Sequence, residues 1–158
     1  MQPSSDYDVY LKLDGILGDS TAVGYEKWIV LSNVQFDLTN TSRAVTGGGG
    51  GSGKATIDNF TVTKFFDSSS IALFQSASSG ANIKSAKIVF VNQGERSVPF
   101  LTITLNSINV SEYNFNNVYE TINLKFNSIQ FSYSPTDSRG QRGNTNSGGW
   151  DFSQNKKL

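Results

Sequence analysis

Cysteine and histidine are both absent from this chain. Without cysteine there are no disulfides and no thiolate metal sites. Without either residue, Ser-His-Asp and Cys-His nucleophilic sites, histidine general bases and nearly all zinc sites are excluded together. An excess of one charge is missing too. The 13 Lys and Arg residues balance 13 Asp and Glu residues, and the basic ones are scattered, so there is no basic stripe for a phosphate backbone and nucleic acid is not an expected partner. No stretch approaches 18 apolar residues, and the start "MQPSSDYDVY" has neither a basic region nor an apolar core. The expectation is therefore no membrane span, no secretory signal and synthesis into the cytoplasm. Asp6 and Asp8 form a lone Asp-x-Asp without the rest of a calcium loop. No pair of carboxylates is singled out for glycosidase chemistry, so no metal, cofactor or catalytic residue is expected.

What the chain does have is Ser, Thr and Asn in abundance and one run of glycine. A weakly charged surface of hydroxyls and amides tends to associate rather than repel. The 158 residues read as one domain, 1–158, long enough to bury a sizeable core. The stretch "GGGGGSGKA", Gly47 to Ala55, fits G-x-x-x-x-G-K from Gly48 to Lys54. A phosphate loop also needs a Ser or Thr after the lysine and a helix behind it. Here Ala55 follows, and "KATIDNFTVTKFF" alternates with strand periodicity, so this is not a nucleotide site.

The rest is mainly β. "YDVYLKLDG" reads as a strand and turn, and "YEKWIVLSNVQFDLT" as one long strand with apolar residues in both phases. Residues 40–53 form a long loop without periodicity. In the strand Lys54 to Phe65 the apolar phase shifts from Ala55 and Ile57 to Phe60 and Val62, which reads as a bulge. "DSSSIALFQSASSGA" predicts one short helix, with Asp67 or Ser68 at its start, Ile71, Phe74 and Ala77 on its inner face, and Gly80 at its end. "IKSAKIVFV" and "SVPFLTITLNSINVSEY" predict a hairpin, turning at Asn92 to Glu95, and "YETINLKFNSIQFSYS" another strand. Both Leu105–Ser111 and Phe126–Ser132 flip phase across Asn-Ser, predicting bends that bury Leu105 with Ile108 and Phe126 with Ile129. Trp28, Phe60, Phe74 and Phe126 fall on apolar phases and are expected to pack in the core. Lys12, Lys27, Lys54 and Lys64 read as solvated strand positions or as partners of acids across a subunit boundary. Segment 135–149 is too rich in Gly, Asn and Ser to carry order of its own, with a last short strand at "WDFSQ". Bent strands let a sheet close on itself, so the expected fold is a small antiparallel β-barrel with one short α-helix.

Six segments taken in order, "YLKLDGILGDS", "GGGGGSGKATIDNFTVTK", "LFQSASSG", "FLTITLNSINVS", "ETINLKFNSIQFSYSP" and "GWDFSQNK", make the chain resemble the haemolysin-coregulated protein family, Hcp, of the bacterial type VI secretion system. The resemblance covers nearly the whole chain. It implies a barrel-like subunit assembling into hexameric rings that stack into a tube. It also implies a trimeric spike, a contractile sheath with its baseplate, and secreted effectors in the lumen as partners, with export through the system itself. It further implies that the glycine-bearing loop projects towards a neighbouring subunit. The candidate interface residues are then Thr46, Gly47, Gly48, Gly49, Gly50, Gly51, Gly53, Lys54 and Gly94, with Trp150 and Asp151 near the C-terminus. Two other readings stay open on the residues alone, a carbohydrate-binding β module and a small carboxylate-dependent hydrolase.

Overall fold

A computed structural model describes residues 6–41, 53–93, 98–137, 139 and 141–158. The elements run β1 (Tyr7–Leu13), β2 (Ile29–Leu31), β3 (Asn33–Asn40), β4 (Ala55–Phe65), α1 (Ser70–Ser79), β5 (Asn82–Asn92), β6 (Pro99–Asn116), β7 (Tyr119–Tyr133), β8 (Asn146–Asp151) and β9 (Lys156–Lys157). All pairings between these strands are antiparallel, in the order β2-β1-β5-β6-β7-β4-β3, with β8 on β7 and β9 on β8.

The two ends of that order, β2 and β3, are consecutive in the chain and separated only by Ser32. The ladder is not closed by a pairing between them. Instead one continuous run bonds β1 with its first part and β4 with its second, so the sheet curls round through Ser32. The Ser32 N–H and hydroxyl both donate to the carbonyl of Thr63, at 2.8 and 3.1 Å. The long strand expected over 25–39 is thus two strands. The break explains its double phase, because Ile29 and Leu31 point inward before Ser32 and Val34 and Phe36 do so after it.

Inside the curl, Leu11, Leu13, Ile29, Phe60, Leu73, Ile88, Leu105, Ile108 and Ile122 are all but inaccessible to solvent. Each such side chain contributes roughly 1.5–3 kcal/mol of transfer free energy. Two phase shifts come out as expected. The β3–β4 register slips between Gln35 and Asp37, opposite Asn59, which takes φ 55°, so Ile57 and Phe60 can both turn inward. At the other, Ser107 takes φ 56° and both Leu105 and Ile108 are buried. Ile129 is buried as well, whereas Phe126 is half-buried, its ring edge-on to Phe60 at 5.3 Å.

The helix differs from expectation in its rotation. Ser70 and Leu73 are buried and Ala77 packs on the core, while Ile71 and Phe74 are 64 % and 57 % exposed. Phe74 is therefore a surface residue. The C-terminal end is as anticipated, Gly80 ending the helix at φ 71°, a conformation that costs glycine least; at the other end the N-cap is Ser69, which makes no side-chain cap, and Asp67 accepts from the Ser69 N–H at 2.8 Å instead of capping the helix itself. A smaller cluster of Tyr10, Tyr25, Val89 and Val91, with Trp28 against it, lies outside the main core. The β8 strand begins within the segment that was expected to lack order, at Asn146, and stops at Asp151, so the C-terminal strand lies earlier than "WDFSQ". Its backbone reaches β7 closely because residue 149 is glycine: a Cβ there would lie 2.1 Å from the Ile129 carbonyl oxygen.

Candidate assembly surfaces

Among the expected interface residues, Thr46, Gly47 to Gly51 and Gly94 lie outside the described residues. Gly53 is half-buried and Lys54 exposed, at the foot of β4. The Lys54 N–H donates to Thr41 Oγ1 at 3.1 Å, and the Thr41 N–H to the Lys54 carbonyl at 3.2 Å, so the β3–β4 hairpin extends past both strands. No helix follows Lys54; β4 does, as the alternation implied.

Trp150 and Asp151 end β8. Asp151 is engaged locally: its Oδ1 accepts from the Ser153 hydroxyl at 2.6 Å and from the N–H groups of Ser153 and Gln154 at 2.9 and 3.1 Å. These bonds, the Ser153 hydroxyl first, hold its carboxyl below the usual range. Trp150 pairs with Ile129, and its buried indole N–H has no acceptor among the described residues. With Phe36, Leu38, Ala55, Ile57 and Phe131 it lines an apolar groove where β4 begins. The structure therefore brings Trp150 beside the stem that carries Lys54, through Ala55, but gives Asp151 a turn to hold.

The other end of β4 holds what the sequence concealed. Lys64, read as solvated, is fully buried, and so are Glu120 and Ser70. Lys64 Nζ donates to Ser70 Oγ at 2.9 Å and to the Glu120 carboxylate, and stands 3.0 Å from Asp67 Oδ1. Ser70 donates in turn to Glu120 Oε1 at 2.7 Å, and the Tyr113 hydroxyl donates to Glu120 Oε2. Burial, then this bond and charge, push the Tyr113 phenol well above its ordinary range. Buried charges survive only when paired and bonded in this way. The register Lys64↔Glu120 on β4 and β7 was the one available signal, an acid and a base each in an apolar phase. The network ties α1 to the sheet.

A family profile described as "Type VI secretion system effector, Hcp" matches residues 10–133. The chain belongs to this family. Protein hcp1 of Pseudomonas aeruginosa is 29 % identical over 110 residues, 65 % of this chain and 68 % of that protein. Among solved structures, one described as a type six secretion system protein superposes with a TM-score of 0.87 at 27 % identity, covering 96 % of this chain and 99 % of the other. Hcp1 from Salmonella typhimurium superposes at 0.76 and 24 % identity, covering 97 % and 99 %, a likeness of fold. The antiparallel curl with one helix is thus the Hcp fold.

Proposed function

We propose that the chain is a structural subunit of a type VI secretion tube, in which copies close into hexameric rings and the rings stack. The observation that carries this reading is the family match across residues 10–133, together with a superposition that spans nearly both chains. Its work is assembly. A ring needs one heterologous interface repeated by rotation, and stacking needs a second between opposite faces of the ring. The tube is expelled through the system with effector cargo, the energy coming from a contracting sheath. A spike and a baseplate are the remaining partners, and the chain resides in the cytoplasm before firing. The loop 40–53 is the ring-to-ring element, Gly47 to Gly51 giving the close backbone approach that other residues resist.

Light scattering after size exclusion, with negative-stain microscopy, tests the reading. Six-subunit rings are expected; a monomer that binds glycans would favour the carbohydrate module instead. Deleting Gly47–Gly51 should leave unfolding nearly unchanged, because loop length costs only about 0.6 kcal/mol per doubling. Rings should persist while stacking is lost. Normal tubes from that deletion would remove the loop from the interface.

A further inference from the structure

The sheet parts on one side. β7 pairs with β4 from Tyr119 to Leu124 and with β8 from Ser128 to Tyr133. The first residues of β4, Ala55 to Asp58, pair with β3 alone among the described strands. A wedge therefore opens between the start of β4 and β8, and this wedge is the Trp150 groove, about 400 Å³ in volume. A volume of that order is typical of small-molecule pockets, which are concave, mostly apolar and carry a few polar groups that fix orientation.

The lining narrows what can enter. Its walls are aromatic at Phe36, Phe131 and Phe152 and aliphatic at Leu38 and Ile57, and no charged residue lies among them. A carboxylate or an ammonium group would lose its hydration there without gaining a counter-charge. One donor is left over. The Trp150 indole N–H is buried and has no acceptor among the described residues, and a buried donor without a partner costs the fold its desolvation. The cleft between α1 and β6 has no such group, because its Ser70 and Tyr113 hydroxyls both donate to Glu120. Only the groove joins apolar walls to an unmatched donor.

We propose that the Trp150 groove binds a small uncharged ketone or ester, its apolar part against the aromatic and aliphatic walls and its carbonyl oxygen accepting from the Trp150 indole. Every lining residue comes from one copy, so the site does not depend on the tube reading. A hydrocarbon of the same shape fills the groove but leaves the donor unmatched. A fatty-acid anion supplies an acceptor but buries a bare charge. A site built round a hydrogen bond discriminates most strongly against the analogue that cannot make it.

Three probes of equal length test this: methyl hexyl ketone, the alkene in which a methylene group replaces its oxygen, and heptanoate. Calorimetric titration of the parent chain should show the ketone binding about 10-fold tighter than the alkene, with heptanoate weakest. The chain has two tryptophans, so in Trp28→Phe the fluorescence of Trp150 alone should change, and saturate, with the ketone. In Trp150→Phe the ring stays and the N–H goes, so ketone and alkene should bind alike. Should Trp150→Phe unfold, as judged by circular dichroism, the ketone-to-alkene ratio in the parent decides. The proposal is overturned if the ketone shows no saturable binding up to its solubility limit, if the parent binds ketone and alkene equally, or if Trp150→Phe keeps the preference. None of these outcomes touches the tube reading, which the oligomeric state tests separately.

Discussion

Removing Glu120 should cost more than removing any exposed acid. In Glu120→Ala, Lys64 stays in a site with no solvent access and loses its one fully buried counter-charge. Tyr113 and Ser70 lose the oxygens to which they donate. Breaking a buried pair by deleting one partner costs about 3–5 kcal/mol. Asp67 remains 3.0 Å from Lys64 and Ser70 still accepts from it, so the lower half of that range is expected, about 3–4 kcal/mol. For a domain of this size each kcal/mol lowers Tm by about 2–4 °C, which gives a fall of roughly 6–16 °C. The double replacement Lys64→Met with Glu120→Leu removes both charges and keeps the volume. It should recover most of that loss, because desolvation of the pair offsets much of its attraction. Urea denaturation of the parent, Glu120→Leu, Lys64→Met and the double variant, at a concentration where the chain is monomeric, closes the cycle, with Glu120→Ala measured beside it. A loss under about 1 kcal/mol in Glu120→Ala, or a double variant less stable than either single one, would refute the reasoning.

Gly149→Ala should detach β8 from β7, since the added Cβ would meet the Ile129 carbonyl oxygen at 2.1 Å and Gln130 Cα at 2.9 Å. Hydrogen exchange should show lost protection over Asn146–Asp151, and unchanged protection would contradict the clash. The Tyr113 phenol is held above its ordinary value of 10.0 by burial and by Glu120. Its contribution is therefore complete below the unfolded value and lost as pH rises beyond it. Stability measured by urea midpoint should be flat to about pH 10 and then decline, less steeply in Tyr113→Phe; an identical decline in that variant would count against the assignment. Calorimetry with ATP or GTP and Mg²⁺ should show no heat, because β4 follows Lys54 where a phosphate loop requires a helix; micromolar binding lost in Lys54→Ala would reverse this.

The strand framework was legible because period-two alternation is a local signal, and so was the bulge at Asn59, where the step from Ile57 to Phe60 cannot keep one phase. Ser32 was not. Apolar residues on both sides of it fill both phases, so a flip of the chain looks like a strand covered on two faces. The C-terminal strand was hidden for a different reason. Glycines in "NSGGW" lower strand propensity, yet Gly149 is needed because β8 must approach β7 more closely than any Cβ allows. That requirement belongs to the partner strand and leaves no local trace. Of the surface residues, Trp150 was only a candidate for docking on the barrel or a neighbour, and the groove round it is assembled from four separate strands that only the fold brings together.

The helix shows how one hidden interaction can redirect a visible one. Two sets of positions at helical spacing compete for the core, Ile71, Phe74 and Ala77 against Ser70, Leu73 and Ala77, and hydrophobicity alone favours the first. Turning Ile71 inward would gain about 2 kcal/mol of transfer free energy. It would also rotate Ser70 some 100° away from Lys64 and Glu120, leaving two buried ions without the hydroxyl that bonds to both. Charged hydrogen bonds are each worth about 1.5–3 kcal/mol, and buried groups left unmatched cost as much again, so the polar latch sets the rotation. Leu73 then fills the core as well as Phe74 would have done. Ile71 and Phe74 are left on the outside, beside the exposed Phe66 and Phe115. The buried pair thereby decides which side of a ten-residue helix faces out.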